Sequence, residues 1–201
     1  MSRANTKTFP VFQLNLFEDA NAFVKSWSSL YDFPNYQVYK STITKFEFAE
    51  GDLRSLFEWK NGMNLSIKKE HSFLNQILQQ EELIYELKRD FDQDKFEKSF
   101  GKISAIWQIF LLHIIKPSYC PIFDQHVYRA FRFIQNQDEK PLPSAQTAKL
   151  KIFHEQYCPF FLDMLDLADK YDHLEIDKAL WTFGKMLKEY RKLVKSQSNY
   201  N

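Results

Sequence analysis

Residues 104–115 read SAIWQIFLLHII. Wound at about 3.6 residues per turn, this run puts Ile106, Trp107, Ile109, Phe110, Leu111, Leu112, Ile114 and Ile115 on every side of a helix, interrupted only by Gln108 and His113. A helix with no polar face must be covered all round by other elements. It is also too short to span a bilayer, which takes ~20 apolar residues. The run therefore predicts the central post of a helical domain. His113 inside it reads as a hydrogen-bonded core histidine.

After the post, a loop over 116–123 carries Pro117 and Pro121, and Asp124 opens a second helix over 125–135. An aspartate in that place is a favoured N-cap, worth ~1 kcal/mol, because its carboxylate accepts the unpaired N–H groups of the first turn. The loop thus delivers one carboxylate to a helix N-terminus.

The rest of the chain agrees with a helical class. Only 4 glycines stand against 20 phenylalanines, and few glycines with many long side chains favour helices over turn-rich β architecture. The chain reads as an all-α single compact unit over 1–201, or as two lobes, about 1–35 plus 136–201 and about 50–135. Residues 1–15 read as an irregular arm. The spacing predicts a helix over 16–31, with Phe17, Ala20, Phe23, Val24, Trp27 and Tyr31 on one face, stopped by Pro34. Weak alternation over 35–49 (Val38, Ile43, Phe46, Phe48) predicts a short hairpin or a packed loop. A short helix over 52–60 follows, with Gly62 as its C-terminal cap.

Ser66 caps a helix through residue 80, continued or restarted over 81–91. The charged stretch 90–98 reads as a surface crossing, and 136–144, with two prolines in a polar run, as a loop. Ser144 caps a helix over 145–157, and Pro159 starts another to about 171. In the last helix, 175–194, Ile176, Leu180, Phe183, Leu187, Tyr190 and Val194 share one face. Lys178, Lys185, Lys188, Lys192 and Lys195 gather opposite: a solvated lysine face or a phosphate-contacting surface. The tail 196–201 reads as frayed.

Charge and cysteine usage narrow the function classes. The net charge is +1, so the whole molecule has no strong field, and nucleic-acid binding requires basic residues gathered on one face. Two cysteines, Cys120 and Cys158, make no disulfide framework and no four-cysteine metal or cluster site; they read as plain thiols. The expectation is a reduced, cytoplasmic protein with no metal, no cofactor and no membrane span.

The segment Asp124-Gln125-His126-Val127-Tyr128-Arg129 resembles the Asp-x-His-Val/Ile-x-Arg segment of the helix-hairpin-helix DNA glycosylases, the superfamily of endonuclease III and the 8-oxoguanine glycosylases. The likeness covers 99–135, with Phe100-Gly101-Lys102-Ile103-Ser104-Ala105 in the place of the family's hairpin. It implies two helical lobes flanking a cleft, Asp124 as the catalytic carboxylate, and Gly101 and Lys102 against duplex DNA; His126 and Arg129 either support Asp124 or form a satisfied surface pair, and Lys185, Lys188 and Lys192 are the DNA contacts of the phosphate-contacting reading of the last helix.

Bifunctional members carry a lysine nucleophile near the start of the buried helix. Alignment places Ile103 in that slot, or Ser104 with a one-residue shift. Lys102 lies one or two residues away, and one residue turns a helical side chain by about 100°. The family's two-glycine hairpin is reduced to Gly101, and the cluster-binding cysteines of endonuclease III are absent.

The resemblance then implies a monofunctional glycosylase that hydrolyses the N-glycosidic bond of a damaged or mismatched base. The base must be rotated out of the duplex and stacked in a pocket, for which Trp27, Trp59 and Tyr119 are candidates, though each also reads as core or loop packing. The alternative is a non-catalytic DNA- or protein-binding module that keeps the fold without the chemistry.

Overall fold

The computed structural model describes residues 19–198 apart from 46, 50, 63 and 139, and only the backbone of 192–198. The arm 1–15, Phe17, and the side chains of Lys192, Val194 and Lys195 lie outside the described residues. Among those described, all regular structure is helical and there is no strand. No helix there is long and apolar enough to cross a membrane.

The helices are α1 (Ala20–Ser28), α2 (Tyr36–Ile43), α3 (Asp52–Asn61), α4 (Ile67–Gln76), α5 (Glu81–Arg89), α6 (Gln93–Phe100), α7 (Ala105–Ile115), α8 (Gln125–Ile134), α9 (Gln146–Ile152), α10 (Cys158–Leu167) and α11 (His173–Ser198).

The run that constrains the sequence most is α7. Residues 108–115 are buried without exception, His113 included. One continuous apolar cluster surrounds it, drawing on α1 through α11. Asp124 caps α8 as its residue type predicts: Oδ1 accepts from the backbone N–H of His126 at 2.7 Å and of Val127 at 3.1 Å. Gly62 ends α3 in the left-handed region, φ 73°, and its N–H donates to the Trp59 carbonyl at 2.9 Å.

Several stretches fold differently from their sequence pattern. Within 35–49 the described residues hold no strand; Tyr36–Ile43 form α2, which buries Tyr39, Thr42 and Ile43. Those positions step by three and one on a single helical face. The weak alternation counted Val38 as inward, and it is half exposed at 50%. Asn35 starts the helix from a left-handed conformation, φ 55°, which asparagine tolerates.

Residues 90–98 are likewise not a bare crossing, since α6 occupies most of them. Phe96 and Phe100, four apart, sink into the core at 2% and 0% exposure. Two aromatics on one helical face bury enough area to dock a helix of otherwise charged residues. The helix after Ser66 ends at Gln76, and a 3-10 turn, Leu78–Gln80, leads into α5. Residues 196–198 continue α11 as helical backbone. α9 and α10 join through a π-helical turn, Phe153–Tyr157, in which the Cys158 N–H donates to the Phe153 carbonyl five residues back. Pro159 sits in the first turn after it. A proline ring clashes with the carbonyl four residues before it in an α-helix; the wider π turn relieves that crowding.

Candidate functional site

α7, its loop and α8 place Asp124 in three steps. The His113 ring ties the loop to the post, because Nδ1–H donates to the Cys120 carbonyl at 2.7 Å. A carbonyl only accepts, so Nδ1 carries the proton and Nε2 accepts from the Tyr39 hydroxyl at 2.6 Å. The Ile122 N–H donates to Asp177 Oδ2 of α11 at 3.4 Å, tying the loop to the last helix. Phe123 then inserts among Tyr128, Phe153 and Tyr157. The chain leaves this anchor at Asp124, whose Oδ2 faces Lys60 Nζ of α3 at 3.7 Å.

Burial pushes His113 down to about 3, with the Cys120 bond working the other way. The ring is neutral in the folded protein and titrates near ~6.5 when unfolded. The folded pKa is the lower one, so the unfolded chain binds more protons, and this contribution to stability is lost as pH falls from about 6.5 towards 3. His113→Gln is expected to lower the urea midpoint at pH 7, and the gap from wild type should narrow as pH drops through that window. A constant gap would show that the ring does not titrate there.

Asp124 opens onto a pocket between α2, α3, α8, α11 and the connection from α1 to α2, walled by Tyr31, Phe33, Tyr36, Trp59, Val127 and Trp181. Asp177 lies at its inner end, 5% exposed. Burial raises its pKa well above the usual carboxylate range, and Asp124 adds to the rise, while the Ile122 N–H and Lys60 oppose it. Tyr39 stacks on Trp59 at 3.8 Å and 14°, so the His113–Tyr39 bond also steadies one wall. Burial and the nearby acidic groups keep the Tyr31 and Tyr36 hydroxyls protonated, above their usual range.

The two residues after Asp124 that the family resemblance singled out point to α11. The Arg129 guanidinium donates to the Gly184 carbonyl at 2.8 Å. His126 lies 5.2 Å from the Trp181 ring; burial lowers its pKa, against the pull of Asp124. Both side chains thus brace the N-terminus of α8 against α11. Gly184 permits this closeness: a Cβ there would lie 1.9 Å from the His126 carbonyl oxygen.

The other predicted residues fall elsewhere. Gly101 and Lys102 are exposed in the short connection between α6 and α7, and Gly101 has an ordinary right-handed backbone, φ −62°. Lys185 is held by both oxygens of Asp32 at 2.7 Å, and Lys178 pairs with Glu175 at 2.5 Å. Lys188 is exposed. Of the three stacking candidates only Trp59 reaches the pocket; Trp27 packs on Phe183, and Tyr119 is 65% exposed.

Lys60, Asp177 and Trp181 were not anticipated, and of the three only Asp177 left a trace in the sequence. Asp177 interrupts the apolar face of the last helix between Ile176 and Leu180. Among the described residues no group of His, Cys, Asp or Glu side chains could hold a metal ion. No family model, no curated protein and no solved structure matches the chain.

Proposed function

We propose that the chain is a helix-hairpin-helix glycosylase-like enzyme, and that Asp124 drives hydrolytic release of a base from DNA. One observation carries this reading: the Asp124 carboxylate, fixed through Oδ1 by two backbone N–H groups, turns Oδ2 towards Lys60 at the mouth of an aromatic pocket. The resemblance aligns the short connection of α6 to α7 with the family's hairpin. Breaking an N-glycosidic bond builds positive charge on the sugar. A fixed carboxylate in a water-poor cleft stabilises that charge and orients the attacking water. The aromatic walls would take the base once it leaves the stack.

The test is incubation with duplexes carrying a panel of damaged and mismatched bases, scored for free base and for strand breaks. Base release with an unbroken abasic strand is expected, and Lys102→Ala should leave the rate nearly unchanged. Duplex binding should weaken steeply with added salt; no binding even at low salt would remove the nucleic-acid reading altogether.

Lys60 places an amine beside Asp124, so borohydride trapping decides the chemistry. An adduct that survives Lys102→Ala and vanishes in Lys60→Gln would replace hydrolysis with amine attack on the sugar. The ion pairs that engage Lys178 and Lys185 favour a second reading, a binding module without catalysis, and a panel with no base release at all would establish it.

A further inference from the structure

Six aromatic rings along the wall of the Asp124 pocket form an unbroken circuit. Tyr36 meets Tyr31 at 5.1 Å between ring centroids, and Tyr31 meets Trp181 at 5.2 Å. Trp181 meets Phe33 at 5.5 Å, and Phe33 meets Trp59 at 5.2 Å. Trp59 stacks on Tyr39, and Tyr39 lies 5.7 Å from Tyr36, which closes the circuit. All six rings line the one pocket. The first four pairs stand at 71°, 69°, 87° and 69°, so successive rings turn like the sides of a box. Tyr31, Phe33, Tyr36 and Trp181 are half-buried, which leaves the box open to solvent.

An aromatic face carries partial negative charge and attracts a cation. Two lysines already lie over rings of this circuit: Lys178 Nζ is 5.0 Å from the Tyr36 centroid and Lys185 Nζ 5.0 Å from that of Trp181. Both are matched by carboxylates, Glu175 and Asp32, and Lys60 faces Asp124. Asp177 is the lining carboxyl left over. Among the described residues it has no ion-pair partner, and its Oδ1 has no hydrogen-bond partner. Burial raises its pKa; a cation brought opposite favours the ionised form, the proton passing to solvent.

The kind of cation follows from what the box lacks. A primary ammonium brings three N–H donors, and ring faces leave buried donors poorly satisfied. A quaternary ammonium has none, so it needs charge and ring faces but no acceptor in a fixed place.

We propose that this pocket binds a trimethylammonium group, seated against the ring faces with Asp177 as its counter-ion. The proposal goes beyond the glycosylase reading and does not rest on it.

The full chain is titrated with choline at constant ionic strength while the indole ¹⁵N–¹H signals of Trp59 and Trp181 are followed. Each signal is assigned by its loss in Trp59→Phe or Trp181→Phe. Choline should shift both saturably. 3,3-Dimethylbutan-1-ol has the same shape without the charge and should bind about tenfold more weakly, the scale of one desolvated cation–ring attraction. Asp177→Asn should weaken choline by about the same factor and leave the neutral alcohol unaffected. A peptide carrying trimethyllysine separates the two sources of the group: binding tighter than choline assigns it to a modified protein, weaker binding to a small molecule.

Equal binding of choline and the neutral alcohol, indifference of choline to Asp177→Asn, or no shift of either indole signal would each overturn the proposal. Duplex assays keep the two claims apart. Choline binding without base release from any duplex leaves the ammonium site standing and removes the enzyme. Base release by a protein that ignores choline keeps the enzyme and removes the ammonium site.

Discussion

Gly184→Ala is expected to destabilise the protein by about 2–4 kcal/mol, the sum of overpacking at ~1–3 kcal/mol and a weakened, part-buried hydrogen bond at ~1 kcal/mol. The added methyl would stand 1.9 Å from the His126 carbonyl oxygen. That neighbour is backbone in the first turn of α8, so no rotamer change relieves the contact and the two helices must part. Parting them stretches the 2.8 Å bond from Arg129 to the Gly184 carbonyl and moves the helix start that Asp124 caps. In a helix whose neighbours stood further off, the same change would stabilise by ~1 kcal/mol, because alanine is the better helix former. The sign of the shift in urea midpoint therefore reports the close approach. A midpoint that holds or rises would show that α8 and α11 do not meet at Gly184.

Asp124→Asn is expected to lower base release by at least ~10²-fold, the scale seen when a preorganised charge-stabilising group is removed. The fold should barely respond, since asparagine caps helices as well as aspartate does. Lys60 loses its carboxylate partner, but Asp124 is 28% exposed at the side chain, and a partly solvated pair contributes ~1 kcal/mol or less.

Asp124→Ala separates the two roles. It should abolish release equally and also lose the cap, lowering the urea midpoint by the equivalent of ~1 kcal/mol. If wild type and Asp124→Asn process every duplex alike, Asp124 is a helix cap and nothing more.

The amino-acid sequence by itself determined the elements whose cause is local. An apolar circumference makes α7 a buried post whatever surrounds it. A carboxylate before α8 finds its own helix's N–H groups, and Gly62 takes the left-handed conformation that its neighbours avoid. These bonds close within three residues of the group that makes them. The helical class followed from them, and so did the position of Asp124.

Where several weak local signals competed, the tertiary environment chose. Residues 35–49 became α2 because Tyr39 could pair with His113 and stack on Trp59. The charged α6 docked through two phenylalanines. The pocket was beyond local reading altogether. Asp177 meets the Asp124 loop across 55 residues of sequence, and Lys60 and Trp59 arrive from α3, long before the post. Which side chains share one cavity depends on how helices cross. That crossing is set here by a glycine in mid-helix at 184, whose missing Cβ lets α11 close on α8 and brings two carboxylates, distant in the chain, to one pocket.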